Sequence, residues 1–386
     1  MNNNDINEQQ VVYRHIVLEG TSYEVGKLLG RYINEGSLSI RNTTFEFSKE
    51  DKNIRRHIQQ AIDYFDKYCP GINDEIKGVA DALAVDIEQL IYYITTYKSK
   101  GGCSQMAVLP GITADGHIYV ARNYDYSPQE SDLCLVTTKV KGKASHIGFS
   151  ELMFGRNDGI NEHGLCISMS NAVPGETQDC IGIEFWAIIR AVLDSCQNVE
   201  QAIELILNMP TSCYTNFIIA DINSNAALIE VAGSHKVVHN INNASSKKYH
   251  CATNHFVSDE MLKHDNARYW DSVARYTAMK LRINESTPNV NKHTLKGILT
   301  DLMPLGTCCH YYKHRFGTLW SVIYDVTDIN MEVCFGSPRM NGWYTFNLNS
   351  PMNKEKYFAV LPNEIKKPTW KKLPPGAEDC SVFEIV

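Results

Sequence analysis

This 386-residue chain has little that would tie it to a nucleic acid, a membrane or a phosphate. No run of lysine and arginine exceeds a few residues, and 37 basic side chains against 44 acidic ones leave a net charge of −7. A nucleic-acid partner is therefore not expected. The opening MNNNDINEQQVVYRHIV is polar and slightly acidic, without the basic start and apolar centre of a secretion signal. No segment approaches the roughly 18 uninterrupted apolar residues of a membrane helix. A cytoplasmic location with no membrane partner is the expectation. Neither a GxGxxG nor a Walker A spacing occurs, so nucleotide phosphates have no glycine cradle. The 13 histidines are scattered without metal-ligand spacing, and no cofactor or metal is expected. Internal repeats and low-complexity segments are absent. The 12 cysteines are irregularly spaced and read as reduced, small apolar side chains, the Cys308-Cys309 pair included.

What is present is globular: 44% hydrophobic, 10% aromatic and 21% charged residues. VVYRHIVL (11–18) reads as a strand. EGTSYEVGKLLGRYI opens a helix that Thr21 or Ser22 caps, with Glu24 in its first turn. Three more amphipathic segments, IRRHIQQAIDYFDKYC, INDEIKGVADAL and DIEQLIYYITTY, make the stretch up to residue 97 mostly helical. After Cys103 short apolar strands dominate, broken by helices at 184–207, where Asn198 and Gln201 have capping-box spacing, and at 265–283 and 293–303. Strands between blocks of helix predict an α+β body of four layers, αββα, with two sheets between helices.

The stretch KSKGGCSQMAVLPGITADGHIYVARNYDY (98–126) raises the chemical question. Asp115-Gly116 is a hairpin turn signal between two apolar runs. A turn there places Cys103 opposite residue 126, give or take two. Asp125 then lies beside the cysteine, with Arg122 one pleat earlier. A thiol, a carboxylate and a guanidinium meet at one strand end. A thiol with a pKa of about 8.5 needs a base or a cation to act at neutral pH. The hairpin holds no histidine near Cys103. Cutting the Gly102-Cys103 bond would supply a base on the same residue, an α-amine of pKa roughly 7.7 to 8.0. Asp125 would hold its ammonium form and Arg122 would favour the thiolate. Gly101-Gly102 would permit the backbone turn that brings the thiol onto its own preceding carbonyl.

These residues resemble the N-terminal-nucleophile (Ntn) hydrolases of the penicillin acyltransferase type, peptidase family C45, relatives of choloylglycine hydrolases and acid ceramidases. The resemblance rests on GGCSQMAVLP…DGHIYVARNYDY and on DGINEHGLCISMSN. EGTSYEVGKLLGR, IKGVADALAVDIEQLI, HCATNHF, NARYW and GTLWSVIYDVTDINMEVCFGSP extend it over nearly the whole chain. It implies an αββα Ntn sandwich. Residues 1–102 would be a mostly helical propeptide, kept as the small subunit of the same precursor, and 103–386 the catalytic large subunit. It further implies autocleavage at Gly102-Cys103 and attack by Cys103, positioned by Arg122 and Asp125. Asn171 and Asn254 match the oxyanion and substrate-contact asparagines, and Arg268 the arginine that supports the nucleophile. The reaction expected is hydrolysis or acyl transfer on N-acyl amines or N-acyl amino acids, with an acyl-CoA admitted as co-substrate. The region CCHYYKHRFGTLW departs from the His-Pro-Asp element that many relatives carry before the final hairpin.

Two other readings use the same residues. A papain-like protease would pair Cys103 with His250, His255 or His310 and would not cleave itself. A binding protein could keep the fold without catalysis.

Overall fold

The computed structural model describes residues 8–34, 50–97, 102–173, 182–265, 267–349 and 354–362, with the backbone of 372–373. Two sheets lie face to face. In spatial order the larger runs His235–Ile241, Ala226–Ala232, Tyr214–Ala220, Cys166–Asn171, Asp158–Asn161, His146–Glu151, Cys134–Val140, Glu8–Gly20 and Lys356–Pro362. The smaller runs Tyr249–Ala252, Gly102–Val108, Tyr119–Tyr126, Phe316–Asp325, Asn330–Phe335 and Trp343–Asn347. Helices Phe185–Ser195 and Val199–Asn208 cover the outer face of the first sheet, and Trp270–Ser286 and Lys292–Thr300 that of the second. This is the four-layer αββα arrangement expected from the order of elements.

Burial follows from the layering. Gly102–Val108 and Tyr119–Tyr126 are buried at every position, because one face meets the other sheet and the other face meets helices. Between the sheets, Tyr124 stacks on Trp320 with centroids 4.0 Å apart, and Trp320 stacks on Phe149 of the facing sheet at 4.2 Å.

The N-terminal stretch has the strand and the helices expected of it. Helices Ser22–Asn34, Lys52–Tyr68, Ile72–Leu83 and Ile87–Thr96 form where the periodicity placed them. Thr21 and Glu24 cap the first reciprocally, the Thr21 N–H donating to Glu24 Oε2 at 2.9 Å and the Glu24 N–H to Thr21 Oγ1 at 3.3 Å. The strand Glu8–Gly20, however, lies inside the larger sheet. It runs parallel to Cys134–Val140 and antiparallel to Lys356–Pro362. Arg190, on the helix Phe185–Ser195, binds buried Glu75 through both guanidinium nitrogens, at 3.0 and 2.6 Å. The chain before Cys103 is thus woven into the catalytic body.

The hairpin also departs from the expected tight turn. Its strands are joined by residues 109–118, ten in all. Asp115 accepts the His117 N–H at 3.1 Å inside that loop, and Gly116 takes a φ of +76°. The pairing sets Gly102 opposite Asp125 and Cys103 opposite Tyr124. The register has slipped by two residues from the centre expected, which still leaves Cys103 at the strand end that carries Arg122 and Asp125.

Candidate active site

Cys103 is 1% exposed, and its sulfur and both backbone polar atoms are each held by a different side chain. The strand Tyr249–Ala252 pairs with the cysteine strand only as far as Ala252 opposite Gln105. Beyond that point Asn254 replaces it, and its Oδ1 accepts the Cys103 N–H at 3.1 Å. Arg275 donates to the Cys103 carbonyl at 2.6 Å and to Asn254 Oδ1 at 2.8 Å. Arg122 Nη2 lies 3.1 Å from Sγ, while its Nη1 donates to Asp158 at 2.9 Å and to the Asn157 carbonyl at 2.6 Å. Asp158 also accepts the Tyr324 hydroxyl at 2.7 Å.

Strand alternation separates the two halves of this site. Cys103, Arg122 and Tyr124 face the space between the sheets. Asp125 faces the helices, where it accepts the Thr318 hydroxyl at 2.6 Å and lies 3.9 Å from Arg275. Its second oxygen is buried without a hydrogen bond. Burial lifts the Asp125 carboxyl to about 6 against the pull of Arg275. Burial also pushes the Cys103 thiol up to about 11, against the lowering effect of Arg122. The thiol in this environment is therefore a poor nucleophile at neutral pH.

Gly102 is a strand residue and is not among the glycines of positive φ. It is also tightly packed. A Cβ there would sit 2.2 Å from Phe316 Cε2. Gly101 lies outside the described residues.

The structure brings Cys103, Arg122, Asn254 and Asn171 into contact, with Asp125 reaching them through Arg275. Asn171 presents its backbone carbonyl to Asn254 Nδ2 at 2.7 Å, and its Oδ1 accepts the Thr215 hydroxyl at 3.1 Å. Asn254 thus directs its oxygen, not its amide N–H groups, at residue 103. Arg268 does not join them. It lies on the short strand Arg268–Tyr269, bound to Asp265 at 3.0 Å and to the Phe256 carbonyl. The helix begins only at Trp270, and the arginine at Cys103 is Arg275, paired with Asp271 one turn before it at 3.0 Å. Asp158, Asn157 and Thr318 were not singled out from the sequence, although Asp158 opens the DGINEHGL run. Arg275 had a signal in the i,i+4 spacing of Asp271 and Arg275 on a helical segment.

No histidine bonds the Cys103 sulfur among the described residues. His255 is tied to Thr253 and Ser272, and His310 to Ser337 and Cys308. His250 is buried, and burial lowers its pKa to about 3. A Cys-His pair at Cys103 has no geometric support. His117, Asp325 and Asp328 have metal-like spacing, but Lys292 already lies 2.9 Å from Asp325. A cavity of about 520 Å³ lies apart from Cys103, lined in part by Asn198, Asp221, Asn223, Asn225 and Asn240. Its buried Asp221 accepts the N–H groups of Val199, Asn223 and Asn225. No described helix is long and apolar enough to cross a membrane.

The model of the acyl-coenzyme A:6-aminopenicillanic acid acyl-transferase family matches residues 112–340. That span includes Arg122, Asp125, Asn171, Asn254 and Arg275 and begins after Cys103. No curated protein matches the chain in sequence. Among solved structures, a Caenorhabditis elegans N-acylethanolamine-hydrolyzing acid amidase ortholog aligns at 16% identity and TM-score 0.43, over 58% of this chain and 93% of that one. Penicillin V acylase from Agrobacterium tumefaciens aligns at 14% and 0.42, over 64% and 86%. A mutant conjugated bile acid hydrolase from Clostridium perfringens aligns at 13% and 0.42, over 68% and 97%. With more than half its length matched by the family model, the chain belongs to the acyl-coenzyme A:6-aminopenicillanic acid acyl-transferase family, enzymes of acyltransferase or amidohydrolase type with the Ntn-hydrolase fold.

Proposed function

We propose that the chain cuts itself between Gly102 and Cys103 and then acts on amide bonds through a Cys103 acyl-thioester. The observation that carries this reading is the separate binding of residue 103's nitrogen, carbonyl and sulfur by Asn254, Arg275 and Arg122. A cysteine that only packed a core would not need three polar side chains on three of its atoms.

In self-cleavage, the Cys103 sulfur attacks the Gly102 carbonyl carbon. The C–N bond breaks, the nitrogen takes the thiol proton, and a thioester joins Gly102 to Cys103. Water then hydrolyses that thioester, releasing the Gly102 carboxyl group and the free thiol. The new α-amine, of pKa roughly 7.7 to 8.0, is a far better match to neutral pH than the buried thiol. Asn254 Oδ1 accepts from a neutral amine or an ammonium, and Asp125 supplies negative charge when the amine is protonated.

In turnover, the amine takes the thiol proton as sulfur attacks the substrate carbonyl. It returns the proton to the departing nitrogen. The Asn171 side-chain amide, a neutral donor with Nδ2 unbonded among the described residues, suits the tetrahedral oxygen, a role whose loss typically costs ~10²–10³ in rate. Water or a second amine then takes the acyl group, giving hydrolysis or acyl transfer, and an acyl-CoA can deliver the same thioester.

The test is N-terminal sequencing and mass analysis of freshly made, active protein. Dividing 43.6 kDa by residue number predicts fragments of about 11 and 32 kDa, the larger beginning Cys-Ser-Gln-Met. Cys103→Ala leaves one chain. The two fragments co-elute without denaturant, because the smaller carries an internal strand of the larger sheet. Active wild-type protein that remains a single chain would sink the proposal.

A further inference from the structure

Gly102 enters the proposed chemistry twice. Before the cut it carries the carbonyl that the Cys103 sulfur attacks. In the thioester that follows, it is the first acyl group the sulfur holds. A substrate acyl group joins the same sulfur through the same kind of bond. The walls around the Gly102 α-carbon are therefore the walls met by the α-carbon of any acyl group held as Gly102 is held.

One of those walls is an aromatic ring. A Cβ in the L configuration at Gly102 would lie 2.2 Å from Phe316 Cε2, 2.7 Å from Cζ and 3.4 Å from Cδ2. The first two distances are far inside van der Waals contact, so a carbon at that place requires the ring to move. Phe316 opens the strand Phe316–Asp325 and pairs with Tyr311. On one side Gly317 packs on the Tyr312 ring, whose hydroxyl donates to the Thr318 carbonyl at 2.6 Å. On the other Arg315, with a φ of +61°, binds Glu130 at 2.8 Å. The Arg275 guanidinium lies 5.9 Å from the centre of the Phe316 ring. Arg275 is itself tied to the Cys103 carbonyl at 2.6 Å and to Asp271 at 3.0 Å. Both the backbone under the ring and the cation beside it are anchored.

We propose that Phe316 determines acyl specificity: Cys103 accepts acyl groups with a CH2 next to the carbonyl and rejects those with an α-substituent in the L sense. This rests on Cys103 as the acyl-accepting nucleophile. Phe316 acts on the acyl side alone, so the discrimination is independent of the leaving group.

Para-nitrophenyl esters of butanoate and of (R)- and (S)-α-methylbutanoate test this. The two branched esters have equal intrinsic reactivity. In the R form the methyl group takes the place of an L Cβ when the ethyl group takes that of the Gly102 nitrogen. On acylation the C–S bond forms, the ester C–O bond breaks, para-nitrophenolate leaves and the thiol proton passes to the α-amine. Nitrophenolate release and the mass added to the Cys103 fragment follow the reaction in self-cleaved protein. In wild type the R ester is expected to react about tenfold or more slowly than butanoate, the worth of one misplaced methyl group in an apolar pocket. In Phe316→Ala the R ester recovers most of that loss relative to butanoate and the S ester gains less, with Phe316→Leu between the two enzymes. An R ester that acylates wild type as fast as butanoate overturns the proposal, and that comparison needs neither variant. An unchanged ratio of R ester to butanoate in folded, self-cleaved Phe316→Ala overturns it too, as do equal gains for the two enantiomers. Self-cleaved wild type that takes no butanoyl group on Cys103 refutes instead the nucleophile on which the proposal rests.

Discussion

Arg122 Nη2 stands 3.1 Å from the Cys103 sulfur, and the same guanidinium holds Asp158 at 2.9 Å in a fully buried ion pair. The pair anchors the cation that favours thiolate. Arg122→Ala would remove that cation and leave Asp158 buried and uncompensated, at a cost of about 3–5 kcal/mol. We expect a lowered urea midpoint together with loss of self-cleavage. Arg122→Lys keeps a charge without the planar fork, so it should recover part of the stability but leave cleavage slow. Time courses on denaturing gels and equilibrium unfolding check both. Wild-type cleavage in Arg122→Ala would remove Arg122 from the mechanism.

Arg275 and Arg268 separate by their contacts. Arg275 binds the Cys103 carbonyl and Asn254, whereas Arg268 binds Asp265 and Phe256. Arg275→Lys is expected to slow self-cleavage at least tenfold, roughly one charge-assisted hydrogen bond. Arg268→Lys should alter thermal stability and leave the cleavage rate within a few-fold of wild type. The reverse order would assign the supporting role to Arg268.

Gly102→Ala places a methyl group 2.2 Å from the Phe316 ring. Overpacking of this kind costs about 1–3 kcal/mol and displaces the scissile bond. Slowed cleavage is expected, with partial recovery in the double variant Gly102→Ala, Phe316→Leu. If Gly102→Ala matures at the normal rate, Phe316 does not set the position of the bond.

Asp125 contributes a pH dependence of known sign. Its carboxyl titrates near 6 in the fold and near 3.9 in the unfolded chain. Between those values the native state holds more protons, so the contribution is full below about pH 4 and is lost as pH rises through 6. Melting of the uncut Cys103→Ala chain from pH 4 to 7 should show this slope. Adding Asp125→Asn should flatten it. An unchanged slope would mean that Asp125 is ionised throughout.

Local patterns made part of this site legible. Period-two alternation and a turn between two apolar runs suffice to bring Arg122 and Asp125 to the strand end that bears Cys103, even though the loop is longer than the Asp-Gly signal implied. The four helices before the cysteine follow from spacing alone, whereas the choice of Thr21 over Ser22 as the first cap came from the structure. The choice between Arg268 and Arg275 does not follow from spacing either. It depends on where the helix begins, and residues 268–269 are held in a strand by pairing with 372–373, far along the chain.

The sequence by itself determined the strand-forming and helix-forming segments, the four-layer class and a cysteine beside an arginine and an acid, because each of these depends on neighbours close in the chain. Tertiary structure alone decided that the first strand lies inside the catalytic sheet, that Asp158 holds Arg122 and that Arg275 holds the Cys103 carbonyl. Those contacts join residues 36 and 172 positions apart, and only the packing of the two sheets and their helices brings such distant groups together.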